Sequence, residues 1–207
     1  MEKIELIGVN KSFKEEKVLK DICLTLTDNK IYGFVGRNGS GKSVLFKIIC
    51  GYVIADSGKI MIDGKELGKD MDFPEGLGAL IETPGFIWYQ SGFENLRYLA
   101  RIRNKINDAQ VKDAIRQVGV NPDSKKWVGK YSMGMKQRLG IAQAIMETPD
   151  ILVLDEPMNA LDEEGVEEIR QLLLKYRQPG RCILITSHNR EDIEILCDEV
   201  YQVQNNQ

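Results

Sequence analysis

Residues 36–43 read Gly-Arg-Asn-Gly-Ser-Gly-Lys-Ser, a glycine-rich loop with GxxxxGK[ST] spacing. A triphosphate needs several closely spaced backbone N–H donors, and Gly36, Gly39 and Gly41 let the main chain wrap that tightly around it. Arg37, Asn38 and Ser40 fill the loop between them, and Val44 continues into the next element. Lys42 offers a point charge to the β- and γ-phosphates, and the Ser43 hydroxyl is an oxygen ligand suited to Mg²⁺. A second cluster, Ile151-Leu152-Val153-Leu154-Asp155-Glu156-Pro157, places two acids after four apolar residues. Asp155 suits the Mg²⁺ shell, directly or through water. Glu156 is the candidate general base for a water attacking the γ-phosphate. Alone, an Asp-Glu pair would read as a solvated loop; beside the phosphate loop it reads as the other half of a nucleoside triphosphate site.

Both clusters need particular elements to hold them. Ile31 to Val35 is an apolar strand candidate ahead of the loop, and a helix is expected from about Lys42, its positive end adding to the attraction for phosphate. The continuous apolar run 151–154 fits a parallel strand covered on both faces, and ligands of such sheets lie beyond the carboxyl ends of the strands. Near the start, Ile22, Leu24 and Leu26 alternate with Cys23, Thr25 and Thr27 as a half-buried strand. Asp63-Gly64 marks a hairpin turn after Lys59 to Ile62, so a small antiparallel layer is expected near the nucleotide base. Ser91-x-x-Glu94 opens a helix whose face should carry Phe93, Leu96, Leu99 and Ile102. Asn107-x-x-Gln110 opens another, with Val111, Ala114, Ile115 and Val118 at helical spacing and Gly119 as the stop. The polar tail from Gln204 is expected to fray.

Composition bounds the class. With 207 residues the chain fits one domain with a substantial core. A net charge of −3 argues against a nucleic-acid partner, whose footprint is basic and clustered. The acids Asp162, Glu163, Glu164, Glu167 and Glu168 read as a solvated helix start. Cys23, Cys50, Cys182 and Cys197 lack metal-ligand spacing and read as small, reduced core residues of a cytosolic protein. No signal peptide and no apolar stretch near the roughly 18 residues of a membrane helix are expected, so a membrane role would need a partner.

Between the two nucleotide clusters lies Tyr131-Ser132-Met133-Gly134-Met135-Lys136-Gln137-Arg138-Leu139. This segment resembles the signature of ATP-binding cassette (ABC) ATPases, Leu-Ser-Gly-Gly-Gln followed by a basic residue, Gln and Arg; Ser132, Gly134, Gln137 and Arg138 keep it, while Tyr131, Met133 and Met135 depart. Read without the resemblance, it is a helix start capped by Ser132, with Met135, Leu139, Ala142, Ile145 and Met146 as its apolar stripe. Asn159-Ala160-Leu161-Asp162 resembles the family's D-loop, which implies Asp162 at a dimer seam. His188, the one histidine of the chain, follows Ile183 to Ser187 where the family has its switch histidine, which contacts the γ-phosphate. Phe13 matches the aromatic that stacks on adenine. Glu82, followed by Thr83-Pro84-Gly85-Phe86, stands where most cassettes carry glutamine. That glutamate and the Tyr-Ser-Met-Gly-Met-Lys-Gln-Arg run are similar to bacitracin and lantibiotic-immunity exporters. Glu82 would offer Mg²⁺ an oxygen and add charge beside Asp155 and Glu156, so that one of these acids holds a proton.

The resemblance implies an α/β P-loop fold: a core sheet from 1–82 and 149–207 with an antiparallel β layer, and a helical subdomain at 83–148 carrying the signature. It implies ATP and Mg²⁺ as cofactors and two cassettes meeting head to tail, as homodimer or heterodimer. Each ATP would lie between one chain's phosphate loop and the other chain's Ser132 and Gly134. It further implies a separate integral membrane permease, with the cassette on the cytoplasmic face of the membrane, hydrolysing ATP to power export. Import, a soluble ATP-gated scaffold and a P-loop kinase stand as alternatives.

Overall fold

The computed structural model describes residues 2–204, and its architecture follows from two sheets that share one apolar filling. Strands β1 (Glu2–Phe13), β2 (Glu16–Thr27), β4 (Ser57–Ile62) and β5 (Lys65–Glu66) form an antiparallel sheet in the order β2-β1-β4-β5. The β4–β5 hairpin turns on Asp63 (φ 48°) and Gly64 (φ 77°), the two left-handed positions that a two-residue turn requires. Strands β3 (Lys30–Val35), β6 (Leu77–Leu80), β7 (Ile151–Leu154), β8 (Cys182–Thr186) and β9 (Glu199–Gln202) form a parallel sheet in the order β6-β7-β8-β3-β9.

Successive residues of the parallel strands feed opposite layers, as the period of two demands. Tyr32, Phe34, Val153 and Leu184 face the antiparallel sheet and pack with Ile4, Leu6, Leu26 and the apolar residues of helix α1 (Lys42–Ile49). Ile31, Leu152, Leu154, Ile183 and Ile185 face the other way, into a second cluster. That cluster continues into α2 (Gly92–Arg103), α3 (Asp108–Gln117), α4 (Met133–Ile145), α5 (Glu163–Tyr176) and α6 (Arg190–Leu196). All four residues of β7 have no exposed surface, which fits an uninterrupted aliphatic run covered on both sides.

The expected helix starts form as capping boxes. Ser91 Oγ accepts from Glu94 N while Glu94 accepts from Ser91 N, and Asn107 and Gln110 exchange the same pair. Gly119 (φ 73°) then stops α3 and its continuation. Two expectations are corrected. Ile102, in the last turn of α2, is 71% exposed, whereas the rest of the expected face is inward: Leu96 is buried, Phe93 and Leu99 pack partly buried against the core, and Asn95 and Ala100 complete the buried side. Cys23 is exposed on the outer face of β2, with Sγ accepting from Gly8 N at 3.1 Å, since alternation along the strand sends it away from Leu24 and Leu26. Cys50 and Cys182 are core residues, and burial pushes both thiols up to about 12. The expected fraying beyond Gln204 concerns residues 205–207, which lie outside the described residues.

Candidate functional site

The carboxyl ends of β3, β7 and β8 lie side by side, and each hands the chain to a loop bearing site residues. The loop after β3 needs its glycines for separate reasons. Gly39 (φ 79°) and Gly41 (φ 97°) hold left-handed backbone that other residues reach only at a cost of roughly 1 kcal/mol. A Cβ on Gly36 would lie 2.3 Å from the Val203 carbonyl oxygen and 2.6 Å from Ser40 Oγ. Helices α2 to α6 each begin with a side-chain cap, from Ser91, Asn107, Ser132, Asp162 and Asn189. Helix α1 begins at Gly41 with none, and its first turn carries no acid. Its leading N–H groups therefore keep their full capacity for an anion.

Asn38, Gly39, Ser40, Gly41, Lys42, Ser43 and Val44 line a cavity of about 390 Å³ with Val18, Asp155, Glu156 and His188. Gly36 and Arg37 line the adjoining depression with Gln202 and Val203. Lys42 is buried, its Nζ donating to the carbonyls of Gly36 (2.8 Å) and Arg37 (3.1 Å). The Ser40 hydroxyl is buried without a hydrogen-bond partner. A buried ammonium on neutral acceptors, an unsatisfied hydroxyl and uncapped N–H groups are jointly complementary to phosphate oxygens.

The acids are organised by a residue that motif reading passed over. Thr186, the last residue of β8, donates through Oγ1 to Asp155 Oδ1 (2.6 Å) and accepts from Glu156 N (2.8 Å). The other Asp155 oxygen accepts from Ser43 Oγ at 2.6 Å, so two of the three oxygen groups expected to hold Mg²⁺ already meet, while the third, Glu82, is paired elsewhere. Among the described residues no group of three or more His, Cys, Asp or Glu is arranged to hold a metal ion. The pair still fits Mg²⁺, an ion usually held by one or two protein oxygens with water and substrate phosphates completing its octahedron.

Glu156 adopts left-handed backbone, φ 51°. Gln137 of α4 fixes that turn by donating to the carbonyls of Glu156 (3.0 Å) and Pro157 (3.1 Å). Burial pushes the Glu156 carboxyl above its ordinary value; His188 and Lys42 pull it down and Asp155 pushes it further up. His188 N donates to Glu156 Oε2 at 3.1 Å. His188 Nε2 lies 3.1 Å from Oε1, which is buried and lacks an aligned donor.

Five sequence candidates lie outside this cavity. Phe13, at the end of β1, is 46% exposed with Lys11 Nζ 5.3 Å from its ring centre. Glu82 (φ 61°) is ion-paired with Lys47 of α1 at 2.5 Å. The expectation that its charge adds to Asp155 and Glu156 is thereby changed: the carboxylate has its own cation, and burial together with Asp155 is what raises Glu156. Ser132 caps α4 by accepting from Met135 N at 3.2 Å, which leaves its O–H as a donor. Gly134 backs onto the loop before α5, where a Cβ would stand 2.7 Å from the Ala160 carbonyl oxygen. Asp162 caps α5 by accepting from Gly165 N at 3.0 Å. Lys47 could not be singled out from sequence, because its partner is 35 residues away.

A phosphate loop between β3 and α1, facing paired acids at the end of a neighbouring parallel strand, defines a P-loop nucleoside triphosphatase. The ABC transporter family model matches residues 19–159, and the chain belongs to that family. The P-loop kinase alternative falls with that match. The chain is 43% identical to the uncharacterized ABC transporter ATP-binding protein YybJ of Bacillus subtilis (strain 168), covering 94% of this chain and 89% of that one. It is 38% identical to the bacitracin transport ATP-binding protein BcrA of Enterococcus faecalis, over 95% of this chain but 65% of that protein's length. The lantibiotic transport ATP-binding protein SrtF of Streptococcus pyogenes is 31% identical, with 94% and 84% covered. The fold matches the ATP-binding cassette MJ0796, solved as a post-hydrolysis dimer bound to ADP and Pi, with a TM-score of 0.87 at 19% identity, over 98% of this chain and 94% of that one. The chain is accordingly an ATP-binding ATPase subunit of an ABC transporter.

Proposed function

We propose that this subunit powers export of a peptide antibiotic or similar amphipathic compound through a separate membrane-spanning chain. The observation that carries the reading is Glu82-Thr83-Pro84-Gly85-Phe86 together with the Ser132-Met133-Gly134-Met135 signature, in a chain whose relatives include bacitracin and lantibiotic transport proteins. No helix among the described residues is long and apolar enough to cross a membrane, which supports a partner that does. The cassette would then sit on the cytoplasmic face of that partner.

In this reading ATP binds with its phosphates on residues 36–44 and its adenine on Phe13. Lys42 turns from the Gly36 and Arg37 carbonyls to the β- and γ-phosphates. Ser43 and Asp155 would hold Mg²⁺, with Glu82 reaching it after release from Lys47. The ion when bound neutralises charge on the phosphate oxygens. Glu156 takes a proton from water as the water oxygen attacks the γ-phosphorus and ADP leaves, and His188 contacts the γ-phosphate while steadying that carboxylate. Ser132 and Gly134 of a second cassette close over the γ-phosphate, with Asp162 at the seam. Residues 83–148 form a helical lever that passes closure to the permease, while 1–82 and 149–207 form the catalytic core. Purification from detergent-solubilised membranes tests the partner. The chain should co-elute with an integral membrane protein and gain ATPase activity when the exported compound is added. A chain recovered alone from the soluble fraction, and indifferent to any membrane protein encoded beside it, would contradict export.

A further inference from the structure

One buried polar cluster takes no part in the chemistry above. Arg170, in the second half of α5, is 7% exposed, and Asp192, in the first turn of α6, is 2% exposed. Arg170 Nε and Nη2 donate to Asp192 Oδ1 at 3.0 and 2.6 Å, and Nη2 also reaches Glu191 Oε2 at 2.9 Å. The second Asp192 oxygen accepts from Ser187 Oγ at 2.7 Å, and Ser187 Oγ accepts in turn from Asn189 N at 3.0 Å. Ser187 and Asn189 flank His188. One hydroxyl thus bridges the residues on either side of the histidine, and a buried ion pair fixes that hydroxyl.

Burying an ion pair contributes little net stability, since removing both charges from water offsets much of their attraction. What the pair does supply is geometry. The guanidinium presents two donors in a rigid fork, and Asp192 uses one oxygen for each neighbour. The peptide of His188 is then set so that its N–H meets Glu156 Oε2 and its ring lies beside Oε1.

We propose that Arg170, Asp192 and Ser187 are positioning residues for His188: they hold the switch loop in the turn that presents this histidine to Glu156, and through it act on hydrolysis. The inference rests on the role proposed for His188. Because Arg170 lies eight residues along α5 from its Asp162 cap, roughly 12 Å at the helical rise, the network also joins the proposed dimer seam to the switch loop by one rigid helix.

A double-mutant cycle on the full-length chain tests this, with steady-state turnover, affinity for a fluorescent ATP analogue and melting temperature measured for each variant. Ser187→Ala should lower turnover about 10- to 100-fold, the scale of a sub-ångström to ångström misplacement, with nucleotide affinity within about twofold of wild type. In a His188→Ala background the same substitution should cost nothing further, because its effect passes through the histidine. Arg170→Met alone strands a buried carboxylate and is prone to misfold, so the paired apolar variant Arg170→Met/Asp192→Leu serves instead. It should fold and show the turnover loss of Ser187→Ala. Equal losses from Ser187→Ala in both backgrounds, or wild-type turnover in a folded paired variant, would overturn the network while leaving His188 its role. Wild-type turnover in His188→Ala would overturn both.

Discussion

Glu156 meets three conditions that a general base needs: a fixed backbone, a partly dry carboxylate and a neighbour to orient it. Thr186 and Gln137 hold its left-handed turn from both sides, and the His188 peptide N–H holds one oxygen. Glu156→Gln keeps an acceptor for that N–H but cannot take a proton, so turnover should fall by about 100- to 10,000-fold while ATP still binds. Near-normal turnover would remove Glu156 from the role. The same variant has a sign in stability. The folded state raises this carboxyl above its ordinary 4.5, chiefly by burial, so the ionised form penalises the fold. Glu156 therefore favours folding fully only below 4.5, and that contribution is lost as pH rises through the folded value. Melting curves should place Glu156→Gln above wild type at neutral pH, with the gap closing as pH falls through the raised folded value toward 4.5; a gap that widens with acid would contradict the burial argument. The glycines, Lys42, Ser43, Asp155 and Glu156 were legible in the sequence because phosphate chemistry fixes their local spacing. Thr186 was not, although a hydroxyl closing the buried run Ile183–Ile185 is a polar group that must find a partner. The Glu82–Lys47 pair was not legible either, because its members lie 35 residues apart and only the fold brings the loop after β6 to Lys47 of α1.

Helix α4 shows how an element carries a site it does not contain. Its Gln137 braces the Glu156 turn, its Arg138 reaches Val118 O and Glu168, and its Gly134 lets the first turn lie against Ala160. By helix propensity alone Gly134→Ala would stabilise by up to about 1 kcal/mol. Overlap with a backbone oxygen at 2.7 Å opposes this, and overpacking of that kind costs about 1–3 kcal/mol. The melting temperature should therefore fall, and turnover should drop about tenfold as the helix start shifts, with ATP affinity kept. A rise in melting temperature would show that the close approach is not enforced. At this scale the sequence was informative wherever local rules act: both capping boxes, the Asp63-Gly64 hairpin and the doubly covered β7 formed as spacing required. It misled where tertiary packing chose the face. Ile102 fits the helical period of α2 yet lies outward, and Cys23 sits between the inward Ile22 and Leu24 and points to solvent.

At the scale of the whole molecule, one chain does not bring all of the expected site residues into one cavity. Ser132, Gly134 and Asp162 do not line the cavity that holds Lys42 and Glu156, and the Ser132 O–H is left as a donor by a cap that uses only its lone pair. The arrangement accords with a catalytic unit made from two chains, each lending its α4 start to the other's phosphate loop. Hydrolysis would then remove the contacts that hold the pair closed, and the closing motion is what a permease could use. Mixing two inactive variants tests this composite site most directly. Lys42→Ala loses the phosphate contact, and Ser132→Arg blocks the opposing γ-phosphate position, so each homodimer should be nearly inactive. In a mixed dimer one site carries both lesions and the other carries neither. The composite site predicts that mixing restores up to about half of wild-type activity per mixed dimer. Mixed dimers verified by a tag on each chain, yet as inactive as either parent, would contradict it.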